Sequence, residues 1–318
     1  TAHASAEEAK EEMYRILDIY EKFCLEEAAI PVIKGTKSDT ERFAGAHTTT
    51  SIEAMMWDKR ALQSGTSHYF STNFAKAFEI QFLNKENVLQ FCETTSWAIS
   101  SRIIGAMIMV HGDDQGLVLP PRLAPTQAVI VPIFKKDDEK IKVMEVADRV
   151  FMELKAAGIR VKMDDRDNVS SGFKFNDWEM RGVPVRVEIG PKDVEKGSFA
   201  LARRDKPGRE GKTFVPQAGL DSAVKGLLDE IQASLLKRAT EYRDANIHDP
   251  KDYEELKKVV QDGWALSYWC ESRECETKVK EEAKATTRNI PFNQPEAEGT
   301  CIVCGKPSKR KVYFARAY

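Results

Sequence analysis

The first thirty residues carry apolar side chains at the spacing of an α-helix. These side chains recur every three or four residues, at Met13, Ile16, Leu17, Tyr20 and Cys24. Ser5 stands just before this stripe, and Glu8 follows it by three residues, which is the spacing of a capping box. The pattern predicts an amphipathic helix over residues 5–27, with Cys24 as a small core hydrophobe.

Between residues 31 and 97 the periodicity becomes that of strands. Short β-prone runs at 31–33, 48–52 and 78–82 are separated by turns that contain glycine and serine. We therefore expect an antiparallel sheet here. A helix with a broad apolar face is predicted over residues 100–111, and Gly112 ends it.

A second pattern begins after a proline-rich stretch. Residues 116–122 are predicted to form a strand that runs into a stiff linker, because Pro120, Pro121 and Pro125 follow one another closely. Strands and helices then alternate. The predicted strands are 128–133, 159–163, 184–189, 198–202 and 212–216, and the predicted helices are 140–157, 173–181 and 220–246. This order indicates a largely parallel sheet with helices on its faces.

The patterns together predict a multidomain protein of the α/β and α+β classes. We place an antiparallel-sheet domain at residues 1–122 and a βαβ domain with a mixed sheet at 126–218. A long helix and a small cysteine-containing module occupy 219–318. The length of 318 residues agrees with two domains and a smaller third.

Composition and charge exclude several classes of protein. Hydrophobic residues make up 42% of the chain and charged residues 31%, as in ordinary globular proteins. No apolar run reaches the roughly 18 residues that a membrane span needs, and the first residues have no signal-peptide pattern. The net charge of −2 argues against a general nucleic-acid coat, although a local basic patch stays possible. Because the chain starts at Thr1 without methionine, we expect it to be cut from a longer protein.

Four of the six cysteines cluster near the end of the chain, at Cys270, Cys275, Cys301 and Cys304. Two close pairs of thiols on two turns are typical of a structural zinc site. Gly305 suits the tight turn that such a knuckle makes. Four unliganded thiols are the alternative interpretation. With four protein ligands the metal would have no open position, so we expect a structural Zn²⁺ and no catalysis at this metal.

Three groups of residues identify a family. The first is 65–69 (GTSHY) with 73–78 (NFAKAF), and the second is 95–102 (TSWAISSR) leading into 110–122 (VHGDDQGLVLPPR). The third combines 165–168 (DRDN), 172–179 (GFKFNDWE) and 188–193 (EIGPKD). All three resemble the prolyl-tRNA synthetases of the branch shared by eukaryotes, archaea and some bacteria. The cysteine module and the ending 314–318 (FARAY) resemble the C-terminal zinc-binding domain of that branch.

The resemblance implies a class II synthetase with part of its antiparallel catalytic sheet, including motif 3, and an anticodon-binding domain. The implied reaction is ATP-dependent activation of L-proline to prolyl-adenylate and its transfer to tRNA(Pro), with Mg²⁺ as a cofactor. In this family, Thr1 would lie just after motif 2, so motifs 1 and 2 are expected to be absent here. We therefore expect the chain alone to be inactive, the full-length protein to be a homodimer, and its location to be cytoplasmic.

Arg102 matches the family's motif 3 arginine, which stacks on adenine. A guanidinium suits this role because it is flat, always charged and weakly hydrated. The alternative for Arg102 is a surface salt bridge. Gln63, Thr66 and Ser100 match family positions that line the ATP site, and each offers a hydrogen-bonding side chain.

His68 and Trp97 match positions that line the proline pocket. Such a pocket should have apolar walls and a few polar groups that fix the ends of the imino acid. Trp97 is expected to supply a wall and His68 a polar contact, although a lone histidine or tryptophan is more often core material.

The βαβ domain resembles an anticodon-binding domain, in which the family positions that read the anticodon match Glu179, Arg186, Lys192 and Lys212. Proline anticodons contain two guanines. Arginine and lysine suit the O6/N7 edge of guanine, and a carboxylate suits its N1–H and N2–H₂ edge. A solvated charged face is the alternative. The basic run of Arg203, Arg204, Lys206 and Arg209 is expected to meet phosphate.

Two rival functions remain from the sequence. One is a non-catalytic tRNA-binding paralogue of a synthetase, against which the complete set of substrate residues argues. The other is a zinc-ribbon nucleic-acid module with unrelated domains attached, against which the ordered resemblance over both large domains argues.

Overall fold

The computed structural model describes residues 1–206 and 208–318, and it divides them into two compact units. The first unit comprises residues 1–26, 30–110 and 240–318, and the second comprises 27–29 and 111–239. The two units are defined by contacts in the folded chain. The domain limits near residues 122 and 218 are inferred from the sequence, and they stay predictions.

Within the described residues, nine α-helices are formed: α1 (Ala6–Lys22), α2 (Asn73–Ala77), α3 (Arg102–His111), α4 (Asp137–Ala156), α5 (Ser171–Met180), α6 (Pro191–Lys196), α7 (Leu220–Ala245), α8 (Tyr253–Val259) and α9 (Arg273–Ala283). A π-helical turn, Phe23–Glu27, continues α1. No helix of the described chain is long and apolar enough to cross a membrane.

Nineteen strands accompany them in the same residues: β1 (Ala2–His3), β2 (Val32–Thr36), β3 (Thr48–Met55), β4 (Ala61–Ser71), β5 (Gln81–Leu83), β6 (Leu89–Phe91), β7 (Glu93–Ile99), β8 (Ala128–Pro132), β9 (Val161–Met163), β10 (Val185–Ile189), β11 (Ser198–Arg203), β12 (Lys212–Pro216), β13 (Ile247–His248), β14 (Trp264–Tyr268), β15 (Thr286–Thr287), β16 (Ile290–Pro291), β17 (Gly299–Thr300), β18 (Pro307–Ser308) and β19 (Lys311–Ala315).

The predicted first helix is confirmed, including its cap. The Ser5 hydroxyl accepts a hydrogen bond from the backbone N–H of Glu8 at 3.2 Å, which satisfies one of the free donors of the first turn. Cys24 is fully buried. Burial, followed by the charge of Glu21, raises the pKa of the Cys24 thiol to about 12, so this cysteine stays a neutral core side chain.

The first unit is built on a six-stranded antiparallel sheet in the order β1-β7-β4-β3-β2-β16. The antiparallel pairing expected from the sequence is confirmed. Helix α1 covers one face, where Ala9 and Met13 pack against Tyr69. The edge strand β16 comes from the C-terminal module and pairs with β2, so residues far apart in the chain share this sheet.

Two strand predictions are wrong. Residues 78–80 are not in a strand, because Phe78 closes α2, and only residues 81–83 pair, in a separate hairpin with β6. Residues 116–122 form no strand either. The amide of Leu117 donates to Met180 O at 3.0 Å and that of Leu119 to Gly182 O at 3.3 Å, so this segment runs extended beside a helix end. Pro120 and Pro121 have no amide hydrogen to continue a ladder.

The second unit holds a five-stranded sheet in the order β12-β11-β10-β8-β9. β8 pairs in parallel with β9 and β10, whereas β10, β11 and β12 pair antiparallel. The mixed sheet is therefore confirmed, but only half of its pairings are parallel. The core between this sheet and the helices contains Ile130, Val150, Leu154 and Val187, all fully buried.

The end of the chain, also in the first unit, forms a four-stranded sheet in the order β13-β14-β19-β15. Its core brings together Trp269, Val279, Val312 and Phe314, and it includes two of the clustered cysteines. This sheet and α9 support the cysteine module.

Candidate functional site

Gln63, Thr66 and His68 lie on one face of the antiparallel sheet. Glu53 pairs with Gln63, Ser51 with Thr66 and Thr49 with His68. The register shifts between Ile52 and Glu53, which leaves one extra residue, Ser64, in β4. Paired residues share a face, and so do residues two apart. The bulge therefore places Gln63 on the face of Thr66 although they are three positions apart.

His68 is almost completely buried on this face, at 9% exposure. Its Nδ1 lies 3.0 Å from the Thr49 hydroxyl, and the ring of Phe43 lies 4.9 Å from the imidazole. Burial lowers the pKa of His68, so the imidazole is neutral at neutral pH. A neutral imidazole whose orientation is fixed by a hydroxyl can offer a ligand one hydrogen bond without a charge.

Trp97 does not join His68. In the pairing of β4 with β7, Trp97 lies opposite Ser67, and His68 lies opposite Ser96. Since neighbouring positions of a strand point to opposite faces, Trp97 shares its face with Tyr69, which α1 covers. The structure therefore separates the two residues predicted to line one pocket. Of these two, only His68 lies on the polar face with Gln63 and Thr66.

Ser100 and Arg102 stand where β7 ends and α3 begins. The backbone N–H of Ser100 donates to Ser64 O at 3.4 Å, so this corner adjoins the bulge beside Gln63. The Ser100 hydroxyl accepts from the N–H of Arg102 at 3.2 Å. Arg102 is exposed, and in the part of the chain described its guanidinium has no ion pair or hydrogen bond. The surface salt bridge considered for Arg102 is therefore not formed here.

In the second unit, three of the four predicted anticodon residues line one cavity of about 320 Å³. They are Glu179 of α5, Arg186 of β10 and Lys212 of β12. Arg186 Nη1 donates to Glu179 Oε1 at 2.9 Å, and the planar guanidinium of Arg186 lies 4.0 Å from the centre of the Phe175 ring. A flat cation, a carboxylate and an aromatic ring thus meet in one place.

Glu188 connects the cations of this cavity. Its side chain accepts from Arg186 Nε at 3.1 Å and from Lys212 Nζ at 2.5 Å. Sequence reasoning assigned no role to Glu188 or Phe175. Sequence spacing could have indicated both residues. Glu188 is two positions from Arg186 on a strand and Phe175 is four positions from Glu179 on a helix, so each pair shares a face.

Lys192 lies outside this cavity, exposed near the start of α6. The predicted basic run is also divided by the fold. Arg204 is only 4% exposed and donates to both carboxylate oxygens of Asp113. Arg203 is paired with Asp205 at 2.7 Å. Both guanidiniums are therefore held by carboxylates, and with Arg209 they line the cavity, so contact of this basic run with phosphate stays a prediction.

A buried carboxylate holds the helix that carries Phe175 and Glu179. Asp164 accepts from Arg166 at 2.7 Å and from the indole N–H of Trp178 at 2.8 Å. Burial would raise the pKa of Asp164, but the hydrogen bonds from Arg166 and Trp178 outweigh it and lower the pKa to about 2. Asp164 is therefore ionised at neutral pH and fixes one end of α5 against β9.

The four clustered cysteines converge. Their sulfurs lie within 4.8 Å of one another, with Cys270 Sγ 3.6 Å from those of Cys275 and Cys304. Four sulfurs at ~2.3 Å from a tetrahedral zinc are about 3.8 Å apart, whereas a disulfide needs about 2.0 Å. All four are free thiols. The donor set and spacing fit a closed Zn²⁺ site.

Local structure prepares this arrangement. Ser272 caps α9 by accepting from the amide of Cys275 at 3.4 Å. The amide of Gly305 donates to Cys301 O at 2.9 Å, and Gly305 has a φ of +73°, which glycine adopts without strain. The knuckle between Cys301 and Cys304 therefore closes because of the glycine that follows it.

Comparisons with known proteins cover the whole chain. Residues 253–318 match the family described as prolyl-tRNA synthetase, C-terminal, and residues 127–218 match the anticodon binding domain. A proline–tRNA ligase of Roseiflexus sp. (strain RS-1) is 53% identical over all of this chain, which spans 66% of that relative's length. The chloroplastic/mitochondrial proline–tRNA ligase of Arabidopsis thaliana is 49% identical over the whole chain, which spans 59% of its length. The proline–tRNA ligase of Deinococcus radiodurans is 46% identical over the whole chain, which spans 64% of its length.

Proposed function

Because this chain belongs to the prolyl-tRNA synthetase family and carries its anticodon-binding and C-terminal domains, we propose that it works in the ligation of L-proline to tRNA(Pro). The proposed reaction is ATP-dependent formation of prolyl-adenylate, followed by transfer of proline to the tRNA. The chain spans 66% of the Roseiflexus relative, so the reaction is proposed for the whole protein to which these residues contribute.

The observation that carries the proposal is the cavity around Arg186. An unpaired guanine offers acceptors on its O6/N7 edge and donors at N1 and N2. Lys212 and Arg186 supply donors, Glu179 supplies an acceptor, and the flat Arg186 guanidinium, which lies over the Phe175 ring at 4.0 Å, supplies a surface on which a base can stack. The cavity therefore suits a splayed-out guanine of the kind that proline anticodons contain. Lys192, which lies outside the cavity, is proposed to contact the neighbouring backbone.

We propose the polar face of the antiparallel sheet as the class II catalytic face. Arg102 would stack on adenine, with Gln63, Thr66 and Ser100 around the nucleotide. His68 would hold the imino acid. In-line attack of a carboxylate on a phosphorus needs positioning and charge stabilisation more than covalent chemistry. Mg²⁺, when bound with ATP, would neutralise charge on the phosphates.

Zinc in the cysteine module is proposed to be structural. With four thiolates on the metal, no position is open for substrate. Cys270, Cys275, Cys301 and Cys304 would instead hold α9 and the 301–304 knuckle together. The proposal also includes a homodimer and a cytoplasmic location, where the bulk of protein synthesis takes place.

The tRNA-reading part is testable on this chain alone. We expect it to bind a tRNA(Pro) transcript, and to bind it less tightly when either anticodon guanine is changed to adenine. Arg186→Ala should weaken binding and remove this preference, whereas Lys155→Ala, on α4 away from the cavity, should do neither. Equal affinity for all transcripts would refute anticodon reading.

The catalytic part needs the rest of the enzyme. We would join this chain to the part of the Roseiflexus relative that it does not match, in the relative's own order, and measure proline-dependent ATP–pyrophosphate exchange. Arg102→Ala should abolish exchange in this joined protein. Exchange that is absent with proline and with every other amino acid would support the non-catalytic tRNA-binding paralogue instead.

A further inference from the structure

A buried ion network fastens the C-terminal module to the antiparallel sheet within the first unit. Glu53 of β3 is 0% exposed. It accepts from Lys37 Nζ at 2.6 Å and from Arg288 Nη2 at 3.0 Å. Lys37 also donates to the backbone oxygen of Arg288 at 2.5 Å. A carboxylate of the sheet is therefore shared between the loop after β2 and a segment of the module.

A second buried carboxylate belongs to the module and binds the loop after β2. Glu276 belongs to α9, follows the cluster residue Cys275 directly and is 6% exposed. It accepts a hydrogen bond from the Ser38 hydroxyl at 2.8 Å and further ones from the hydroxyls of Thr40 and Thr287. Three hydroxyls of two segments thus converge on one carboxylate beside the predicted zinc ligand.

The hydrogen bonds of Ser38 and Thr40 connect the loop with α9. Around them, the charged residues Asp39, Arg42 and Arg273 line a cavity of about 650 Å³, and Arg42 pairs with Asp39 at 3.3 Å. Apolar packing therefore contributes little to the position of residues 38–42. Hydrogen bonds to a charged, buried acceptor are the stronger kind and hold the loop across this cavity.

The same loop forms the wall over His68. Phe43 donates its amide to the Thr49 hydroxyl at 3.2 Å, and this hydroxyl is also the partner of His68 Nδ1. The Phe43 ring lies 4.9 Å from the imidazole. The backbone N–H of His47 closes the loop by donating to Tyr69 O at 2.8 Å. Displacing residues 38–43 would therefore change the surroundings of His68.

We propose that Glu276 is a positioning residue that makes the loop over His68, residues 37–47, depend on the four-cysteine module. Zinc, by fixing Cys275, would fix the first turn of α9 and so the carboxylate that holds Ser38 and Thr40. Zinc binding would thereby affect the substrate face without a direct contact to it. The consequence for proline rests on the proposed function, whereas the coupling itself does not.

The coupling is tested by amide hydrogen exchange on this chain, with zinc and after its removal by a chelator. Glu276→Gln is the test variant, because an amide offers one carbonyl oxygen where the carboxylate offers two. Glu281→Gln, an exposed change of the same type on the same helix, is the matched control. Zinc content is measured on each protein before exchange.

With zinc bound, E276Q should accelerate exchange in residues 37–47 by about tenfold, as expected when hydrogen bonds to a charged group are weakened. E281Q should not. Zinc removal should accelerate the same residues in the control protein, and add much less in E276Q, because the carboxylate that zinc removal would release is already absent there. Peptides from residues 61–67 should stay protected throughout.

Three results would overturn the proposal. The first is hydrogen exchange in the loop that is independent of zinc, and the second is multiplication of the effects of zinc removal and of E276Q. The third is equal acceleration in residues 61–67, which would mean general unfolding. In the joined protein, E276Q should raise KM for proline more than KM for ATP. If no proline reaction occurs while the exchange result holds, the proposed function fails and the coupling stands.

Discussion

Glu179→Gln offers the sharpest test of how a guanine is read. Glu179 Oε1 already accepts from Arg186 at 2.9 Å, and its other oxygen has no hydrogen bond within residues 1–206 and 208–318. That free oxygen is available to the N2 amino group of guanine. Glutamine keeps the shape of the side chain but removes the charge and one acceptor.

The expected magnitude follows from exposure. A hydrogen bond to a charged group contributes about 1.5–3 kcal/mol when it is shielded from water. The Glu179 side chain is 32% exposed, so the lower end applies, and ~1.4 kcal/mol corresponds to about tenfold in affinity. We therefore expect E179Q to weaken binding of tRNA(Pro) about tenfold.

The assay is a two-by-two cycle with inosine. Inosine in place of an anticodon guanosine removes only the N2 amino group, and we would test each guanosine in turn at constant salt, since phosphate contacts depend strongly on ionic strength. Inosine should weaken binding to the unmodified chain and cause no further loss in E179Q. Glu195→Gln, an exposed change on α6, is the control. Losses that multiply at both positions would refute the assignment of Glu179 to N2.

Three further outcomes follow from buried groups. Burial lowers the pKa of His111 to about 4, so the folded protein holds this imidazole neutral. The free energy of unfolding, measured with urea, should be at its full value above pH ~6.5 and fall by up to about 3 kcal/mol as the pH drops towards 4. His111→Gln should reduce this dependence on pH. Glu53→Gln leaves Lys37 and Arg288 buried without a counter-charge and should cost about 3–5 kcal/mol in denaturant unfolding, whereas an unchanged midpoint would contradict the buried network. Cys301→Ser should abolish stoichiometric zinc binding in a colorimetric assay, and Cys92→Ser, outside the cluster, should leave it unchanged.

Local elements with strong signals could be predicted from the sequence. The stripe behind Ser5 predicts α1, and the cap forms as the spacing indicates. The long helix predicted over 220–246 is confirmed as Leu220–Ala245. The cysteine spacing predicts a cluster, and the four sulfurs do meet. The two helices depend on contacts within a few turns and each cysteine pair on a short spacing, whereas the meeting of the two pairs joins residues 26 to 34 positions apart.

Other features depend on partners far away in the chain. Residues 78–80 have a β-prone composition, yet α2 ends there and the chain turns. Residues 116–122 are apolar enough for a strand, but they bond to residues 180 and 182 beside a helix end. Propensity is a weak guide wherever such tertiary contacts decide the backbone.

The candidate sites show the same division. Residue types at matching positions indicated Glu179, Arg186 and Lys212, and the fold brings these three into one cavity. Glu188, which bridges two of them, was missed because a carboxylate between cations has no meaning until β10 and β12 are placed in one sheet.

The sequence by itself determined the capped first helix, the succession of strands and helices along the βαβ region and the two close pairs of cysteines, because each arises from short-range spacing. Only the tertiary structure decided which side chains share a face. One extra residue at Ser64 keeps Gln63 with Thr66, and the register of β4 with β7 turns Trp97 away from His68. A strand has a period of two residues, so a single-residue shift in pairing moves a side chain to the other face, and no local pattern records that shift.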